Sequence, residues 1–247
     1  MYALHTHRFN MPQLNRERTI RVLLPRNYFE SDSRYPVMYM HDGQNLFDPA
    51  TAFNGNDWKI PGTLSKLSLK KQAIIVGIDN GEVDRMNEYA PFKRGKSGGE
   101  GDQYVHFIIE TLKPYIDSEY RTLPQRETTG IAGSSMGGLI ALYAGLKYSH
   151  VFGKIGVLSP SIWFNPQVLD LVETVSIKSQ FYIAGSKNEM RAMESTLQNV
   201  YWIFNKAGFT EEQVRVVVRD RGKHNETMWR NEFKKMYEWL FLMNSEK

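Results

Sequence analysis

Gly133-Ser134-Ser135-Met136-Gly137 is the stretch best equipped for chemistry. It fits G-x-S-x-G with Ser135 at the centre, whereas a register centred on Ser134 puts Ala132 and Met136 where the glycines belong. Residues 126–132 before it carry Thr and Ile like a strand. After it Leu139, Leu142, Tyr143 and Leu146 recur at i, i+3, i+4 and i+7, one face of a helix. A strand, a sharp turn and a helix in that order hold a serine at strained backbone angles, and the flanking glycines let neighbouring backbone pass without a Cβ clash. The helix start points its free N–H groups and positive dipole end at any oxyanion that forms. The pattern predicts a nucleophilic serine. The plain alternative is a tightly packed Gly/Ser helix start, and partners in the right chain order decide between the two.

A serine hydroxyl is a poor nucleophile until a base takes its proton, and histidine titrates in the right range. Around such an elbow the order is serine, acid, histidine, each at the carboxyl end of a strand. Of the six histidines only His150 and His224 follow Ser135. His150 precedes a strand; His224 follows the last strand and precedes the last helix, where the base belongs. His106 falls within a helix, and His41 comes too early. Glu189, just past the strand at 180–185, is expected to orient the imidazole and stabilise its charged form. Asp220, after the next strand, is its rival, and Glu226 is expected to cap or brace the last helix.

The elements that must position these groups alternate along the chain. Residues 2–9 and 18–24 read as two antiparallel strands at a sheet edge. Further strands fall at 36–41, 73–79, 126–132, 153–159, 180–185 and 214–218. Helical segments fall near 62–69, 100–117 (with Pro114 loosening its end), 139–146, 166–173, 193–204 and 233–240. This alternation predicts an α/β class chain, a mainly parallel sheet of about eight strands covered on both faces by helices, with no large lid domain. With no linker or repeat, residues 1–247 read as a single domain. Ala90-Pro91-Phe92-Lys93-Arg94-Gly95-Lys96-Ser97 is a near miss to a phosphate-binding loop, but it lacks the preceding strand and holds Pro91. A mobile loop at the mouth of a site is expected there. His5 and His7 alternate on one strand without a third metal ligand.

Composition narrows the function classes. Hydrophobic residues make up 41% and charged residues 23% of the 247, and the net charge of +4 comes without a long Lys/Arg run, so neither nucleic acid nor a membrane is indicated. With no cysteine, disulfides and thiol nucleophiles are excluded. The N-terminus lacks the basic head and apolar run of a signal peptide, and no apolar run approaches the roughly 18 residues of a membrane helix. A cytoplasmic location, a small-molecule ester as partner and no cofactor or metal are the expectations; the oligomeric state is not legible.

Four motifs in fixed order carry a resemblance: His41-Asp42-Gly43-Gln44-Asn45-Leu46-Phe47-Asp48, Gly133-Ser134-Ser135-Met136-Gly137-Gly138, Leu158-Ser159-Pro160-Ser161-Ile162-Trp163-Phe164, and His224-Asn225-Glu226-Thr227-Met228-Trp229. Together they resemble the esterase family of the α/β-hydrolase fold that includes enterochelin (trilactone siderophore) esterases, feruloyl and acetylxylan esterases, S-formylglutathione hydrolase and the mycolyl transferases. The resemblance covers nearly the whole chain. It implies hydrolysis of carboxylic esters through an acyl-enzyme, or acyl transfer on the same fold, with Ser135 as nucleophile and His224 as base. It implies an oxyanion hole from the backbone N–H groups of Met136 and Gln44. Asp42, Trp58, Arg85 and Trp163 are expected to meet the substrate. One departure touches the acid: relatives carry Gly-x-Lys-Glu, but here Gly185-Ser186-Lys187 is followed by Asn188, with Glu189 one place later. Lys93, Arg94, Lys96, Arg219, Arg221 and Lys223 lie in segments expected at the carboxyl edge of the sheet. If they line one mouth with Arg85, their field favours an anionic ester; otherwise they are solvated loop charges.

Overall fold

The computed structural model describes residues 2–242. Its eight strands are β1 (Leu4–Met11), β2 (Arg16–Leu23), β3 (Val37–His41), β4 (Ile74–Ile78), β5 (Thr129–Ser134), β6 (Lys154–Leu158), β7 (Gln180–Ser186) and β8 (Val214–Arg219). They form one sheet in the order β1-β2-β4-β3-β5-β6-β7-β8. β1 and β2 are an antiparallel hairpin, and β2 joins β4 antiparallel. Every other pairing is parallel. The helices are α1 (Ile60–Leu64), α2 (Arg85–Glu88), α3 (Gly101–His106), α4 (Lys113–Glu119), α5 (Met136–Lys147), α6 (Met193–Lys206) and α7 (Glu226–Phe241).

The two-residue period of a strand sends alternate side chains to opposite faces. Val37 and Tyr39, Ile74, Val76 and Ile78, Ile155 and Val157, and Phe181 and Ile183 pack on one face with α3, α5 and α6. Met38 and Met40, Ile75, Tyr182 and Ala184 pack on the other with α1 and α7. Both faces are buried, so the central strands read as continuous apolar runs rather than alternating ones. In α7, Phe233, Met236, Tyr237 and Leu240 are all at most 1% exposed; burying a side chain of this size contributes about 1.5–3 kcal/mol. The same helix buries Glu232, whose carboxylate accepts from the Tyr182 hydroxyl at 2.5 Å and takes both arms of the Arg219 guanidinium at 2.6 and 2.9 Å.

Three helical expectations change form. The segment near 62–69 becomes the short α1 and a 3-10 turn at Leu69–Lys71, and the segment near 166–173 is a 3-10 helix, Pro166–Thr174. The helix expected over 100–117 passes from α3 through a π-helical turn, Phe107–Leu112, into α4, with Pro114 in the first turn of α4. Pro114 has no N–H for the carbonyl one turn back, and the wider turn ahead of it takes up that mismatch.

Candidate active site

β5 runs into the elbow and α5 leaves it. Ser135 sits between them at φ 58° and ψ −121°, a conformation that costs a non-glycine residue about 1–3 kcal/mol and persists only where its surroundings enforce it. Here the end of β6 and the loop after it do so: the Ser135 N–H donates to the Leu158 carbonyl at 2.9 Å, and the Ser135 carbonyl accepts from the Ser161 N–H at 3.0 Å. A Cβ on Gly133 would lie 2.6 Å from the Gly137 carbonyl oxygen, so the turn closes only with glycine there. The serine hydroxyl lies 2.9 Å from His224 Nε2 and 3.4 Å from the Ser161 hydroxyl. His224 comes from the loop between β8 and α7, and its ring meets the Trp229 ring edge-on at 5.1 Å.

Glu189 follows β7, and its side chain is fully buried. Its Oε2 lies 3.6 Å from His224 Nδ1, near enough for charge attraction and too far for a formed hydrogen bond; among the described residues that ring nitrogen is buried without a partner. Such contacts are often long before substrate binds. The carboxylate is held from behind. Oε1 accepts from the Ser186 N–H at 2.8 Å, and Oε2 from the Ser159 hydroxyl at 2.6 Å. The indole N–H of Trp229 can only donate, and it points at Ser159 Oγ at 2.9 Å, so the Ser159 hydrogen is directed to Glu189. Gly185 makes room for this: a Cβ there would lie 2.6 Å from Glu189 Oε1. Asp220, the rival acid, is 86% exposed and pairs with Lys187 at 3.0 Å. It stands away from the imidazole because β8 ends one residue earlier and turns to solvent.

Met136 is the first residue of α5, so its N–H has no carbonyl one turn back to bind. Gln44 lies in the single 3-10 turn Gly43–Asn45, where the first N–H used is that of Asn45, bonded to the Asp42 carbonyl at 2.9 Å. Asp42 enters that turn in the left-handed region at φ 56°. Its carboxylate takes the Arg85 guanidinium at 2.7 and 2.9 Å and the Asn80 amide at 2.7 Å. Burial raises the Asp42 pKa, but the charge and hydrogen bonds of Arg85 and Asn80 outweigh it and leave the carboxyl below its ordinary value. His41, just before, is buried with Nδ1 2.9 Å from the Tyr104 hydroxyl, and burial lowers its pKa to about 3. It is a neutral core residue.

A cavity of about 530 Å³ opens over Ser135 and His224. Asp42, Gln44, Asn80, Arg85, Asn225 and Glu226 supply much of its polar wall, and Phe53 and Trp229 its aromatic part. Two expected substrate contacts fall elsewhere. Trp58 is 3% exposed and packs at 6.2 Å against the Trp229 ring and at 6.4 Å against Phe233, so it backs the wall without lining it. Trp163 is 54% exposed outside that lining, under the Arg94 guanidinium at 5.1 Å. The basic mouth is also corrected. Lys93, Arg94 and Lys96 do not line the cavity, and Arg219, Arg221 and Lys223 line a separate groove of about 330 Å³, where Glu232 neutralises Arg219. The side-chain cap of α7 is Asn225, accepting from the Met228 N–H at 3.2 Å, while Glu226, the first residue of the helix, bonds its own backbone N–H and stands in the cavity wall. Burial raises the Glu226 pKa and Asp42 raises it further, against the pull of its own backbone, His224 and Arg85.

Ser159, Ser161, Asn80 and Asn225 were not singled out from sequence as site residues. Ser159, Ser161 and Asn225 are marked only by their place in the motifs and Asn80 by none, because serine and asparagine occur in every loop. Among the described residues no group of three or more His, Asp or Glu comes together as a metal requires. His5 and His7 instead flank the Tyr120 hydroxyl, at 3.2 and 2.8 Å. No helix of the described residues is long and apolar enough to cross a membrane.

A sequence profile of the family described as Putative esterase matches residues 11–240. The chain is 26% identical over 247 residues to the uncharacterized protein YbbA of Bacillus subtilis, covering 92% of this chain and 94% of that one. It is 25% identical over 231 residues to an endo-1,4-beta-xylanase/feruloyl esterase of Xylanibacter ruminicola, covering 90% of this chain and 29% of that one. In structure it is similar to the enterobactin esterase FES of Shigella flexneri, with a TM-score of 0.77 and 20% identity over 96% of this chain and 58% of that one. The chain therefore belongs to this esterase family, as a carboxylic ester hydrolase with the α/β-hydrolase fold.

Proposed function

We propose that this esterase works through an acyl-enzyme, with Ser135 as nucleophile, His224 as base and Glu189 as the acid of a triad. The observation that carries the reading is the 2.9 Å contact between His224 Nε2 and Ser135 Oγ at a strained strand-to-helix elbow. Ser135 Oγ attacks the ester carbonyl carbon while His224 Nε2 takes its proton. The carbonyl oxygen becomes an oxyanion against the N–H groups of Met136 and Gln44, aided by the positive end of α5. Glu189 stabilises the imidazolium. The carbon–oxygen bond to the alcohol breaks, and His224 returns its proton to the leaving oxygen. Water then attacks the acyl-serine and gives a proton to His224, the bond from the acyl carbon to Oγ breaks, and His224 passes that proton to Ser135 Oγ, releasing the carboxylic acid and the free serine. Feruloyl esters and trilactone siderophores, after the names of the relatives, are the first substrates to try, and Asp42 and Arg85 form the wall facing them.

A fluorophosphonate probe should label Ser135 covalently in the wild type. Ser135→Ala should take no label and lose on the order of 10⁶-fold in kcat with the fold retained. Label that persists in Ser135→Ala refutes the nucleophile. Product analysis with added alcohols reports whether the acyl group goes to water, as proposed, or to an alcohol.

A further inference from the structure

The charges in the cavity wall are unequal. Asp42 and Arg85 cancel each other through a two-armed ion pair. The remaining charged group is Glu226, a half-buried carboxylate with no ion-pair partner among the described residues. The wall's amides are sorted as well. The side-chain oxygen of Gln44 accepts from the Asn80 N–H at 3.0 Å, that of Asn45 from the Phe53 N–H at 2.9 Å, and that of Asn225 from the Met228 N–H. A backbone N–H can only donate, which fixes the orientation of each amide. Their NH₂ groups have no protein partner among the described residues, so the cavity offers three uncharged donors. Uncharged donors beside a lone carboxylate suit hydroxyl, ether and carbonyl oxygens. A sulfonate or carboxylate in the same place meets Glu226 with no free cation among the described lining residues to offset it.

We propose that Glu226 is a specificity-determining residue of this cavity, selecting uncharged, hydroxyl-bearing esters and rejecting those with an anionic group near the scissile bond. This rests on Ser135 being the nucleophile of the same cavity. It separates the substrate classes named above: neutral sugar-type esters fit the wall, and iron-loaded catecholate lactones, which carry several negative charges, do not.

The test is a charge ladder of aryl acetates of similar size and leaving ability: 4-sulfophenyl (anionic), 4-sulfamoylphenyl (neutral) and 4-trimethylammoniophenyl (cationic) acetate. In the wild type at low salt, kcat/KM should rise from anionic to neutral to cationic, and the three should converge as salt shortens the screening length to about 8 Å or less. Glu226→Gln should raise the anionic-to-neutral ratio about tenfold, the size of one charge–charge interaction across about 12 Å at an effective dielectric constant near 20. The cationic-to-neutral ratio should fall. A wild type that prefers the anionic ester overturns the proposal without any variant. So does an anionic-to-neutral ratio unmoved by Glu226→Gln, with Glu226→Ala as second variant should the first fold poorly. If Ser135→Ala is dead while that ratio stays fixed, the charge inference alone fails; if Ser135→Ala keeps full turnover, the nucleophile fails and the inference with it.

Discussion

Glu189→Gln is the sharpest probe of the proposed mechanism, because the structure sets its size. The substitution keeps volume and one of the two accepting oxygens, turns the other into an NH₂ donor, and removes the negative charge 3.6 Å from His224 Nδ1. In the ground state His224 is neutral in the proposed cycle and feels little of that charge. In the transition state it carries a proton and a full positive charge. At an effective dielectric constant of 20, two unit charges 3.6 Å apart attract by about 4.6 kcal/mol. At about 1.4 kcal/mol per decade this is roughly a 10³-fold loss. The loss should appear in kcat and leave KM nearly unchanged, since the interaction is made only after the proton moves. Stopped assays on a neutral aryl acetate, run beside a thermal melt to show that the variant is folded, read both constants. Asp220→Asn is the control. Its carboxylate is 86% exposed and among the described residues pairs only with a solvent-screened lysine, so activity should hold. A loss under about tenfold in Glu189→Gln, or an equal loss in Asp220→Asn, refutes the role of Glu189.

Two further outcomes concern stability. Arg85→Met leaves the buried carboxylate of Asp42 unpaired, which should cost about 3–5 kcal/mol in urea unfolding at neutral pH. Because the folded pKa of Asp42 lies below its unfolded value, the pair's contribution is full above the unfolded value of about 3.9 and fades as pH falls through the folded one, so the two proteins should converge in acid; equal urea midpoints at pH 7 would count against the pair. His41 has the same sign of shift in a different window: its folded pKa of about 3 lies below the ordinary histidine value, so between the two the unfolded chain alone binds the proton and stability falls with pH. From about pH 6 down to 4.5 this contributes about 1.4 kcal/mol per unit, and His41→Gln should flatten the slope by that amount; parallel slopes would assign the effect elsewhere.

Much of this was legible in the sequence, for local reasons. Strand and helix periods and the glycines of the elbow are encoded within a few residues, so the eight strands and the strand–turn–helix around Ser135 could be read directly. The position of His224 followed from chain order alone. Roles that depend on a distant partner could not be read in this way. Arg219 looked like a mouth cation because its neutralising partner, Glu232, lies two turns into α7. Trp58 and Trp163 looked alike as aromatic residues beside motifs, yet one packs on Trp229 and Phe233 and the other lies at the surface under Arg94. Glu226 was assigned to the helix end, and its neighbour Asn225 took that place by one hydrogen bond. The restraint of Glu189 by Ser159 and Trp229 joins three segments of the chain and carries no local signature.

The strand order has a consequence for how the chain assembles. From β5 onward each strand pairs with the one made just before it, through β6, β7 and β8. On the other side, β3 pairs with β5, bringing Val37 beside Thr129. Everything between them must be gathered before that ladder forms, and loop-closure entropy is met before non-local contacts repay it. The half carrying Ser135, Glu189 and His224 can therefore build its ladders from near neighbours. The half carrying Gln44 and the Asp42–Arg85 pair can join β1, β2, β4 and β3 among themselves, but the free edge of β3 must wait for β5. During synthesis the hairpin of β1 and β2 is made before the other strands of the sheet, yet it has only β4 to lie against, and beyond the hairpin β4 has only β3. The N-terminal half emerges as an open sheet edge that later chain must close, so its exposure time is set by translation through residue 134, the end of β5.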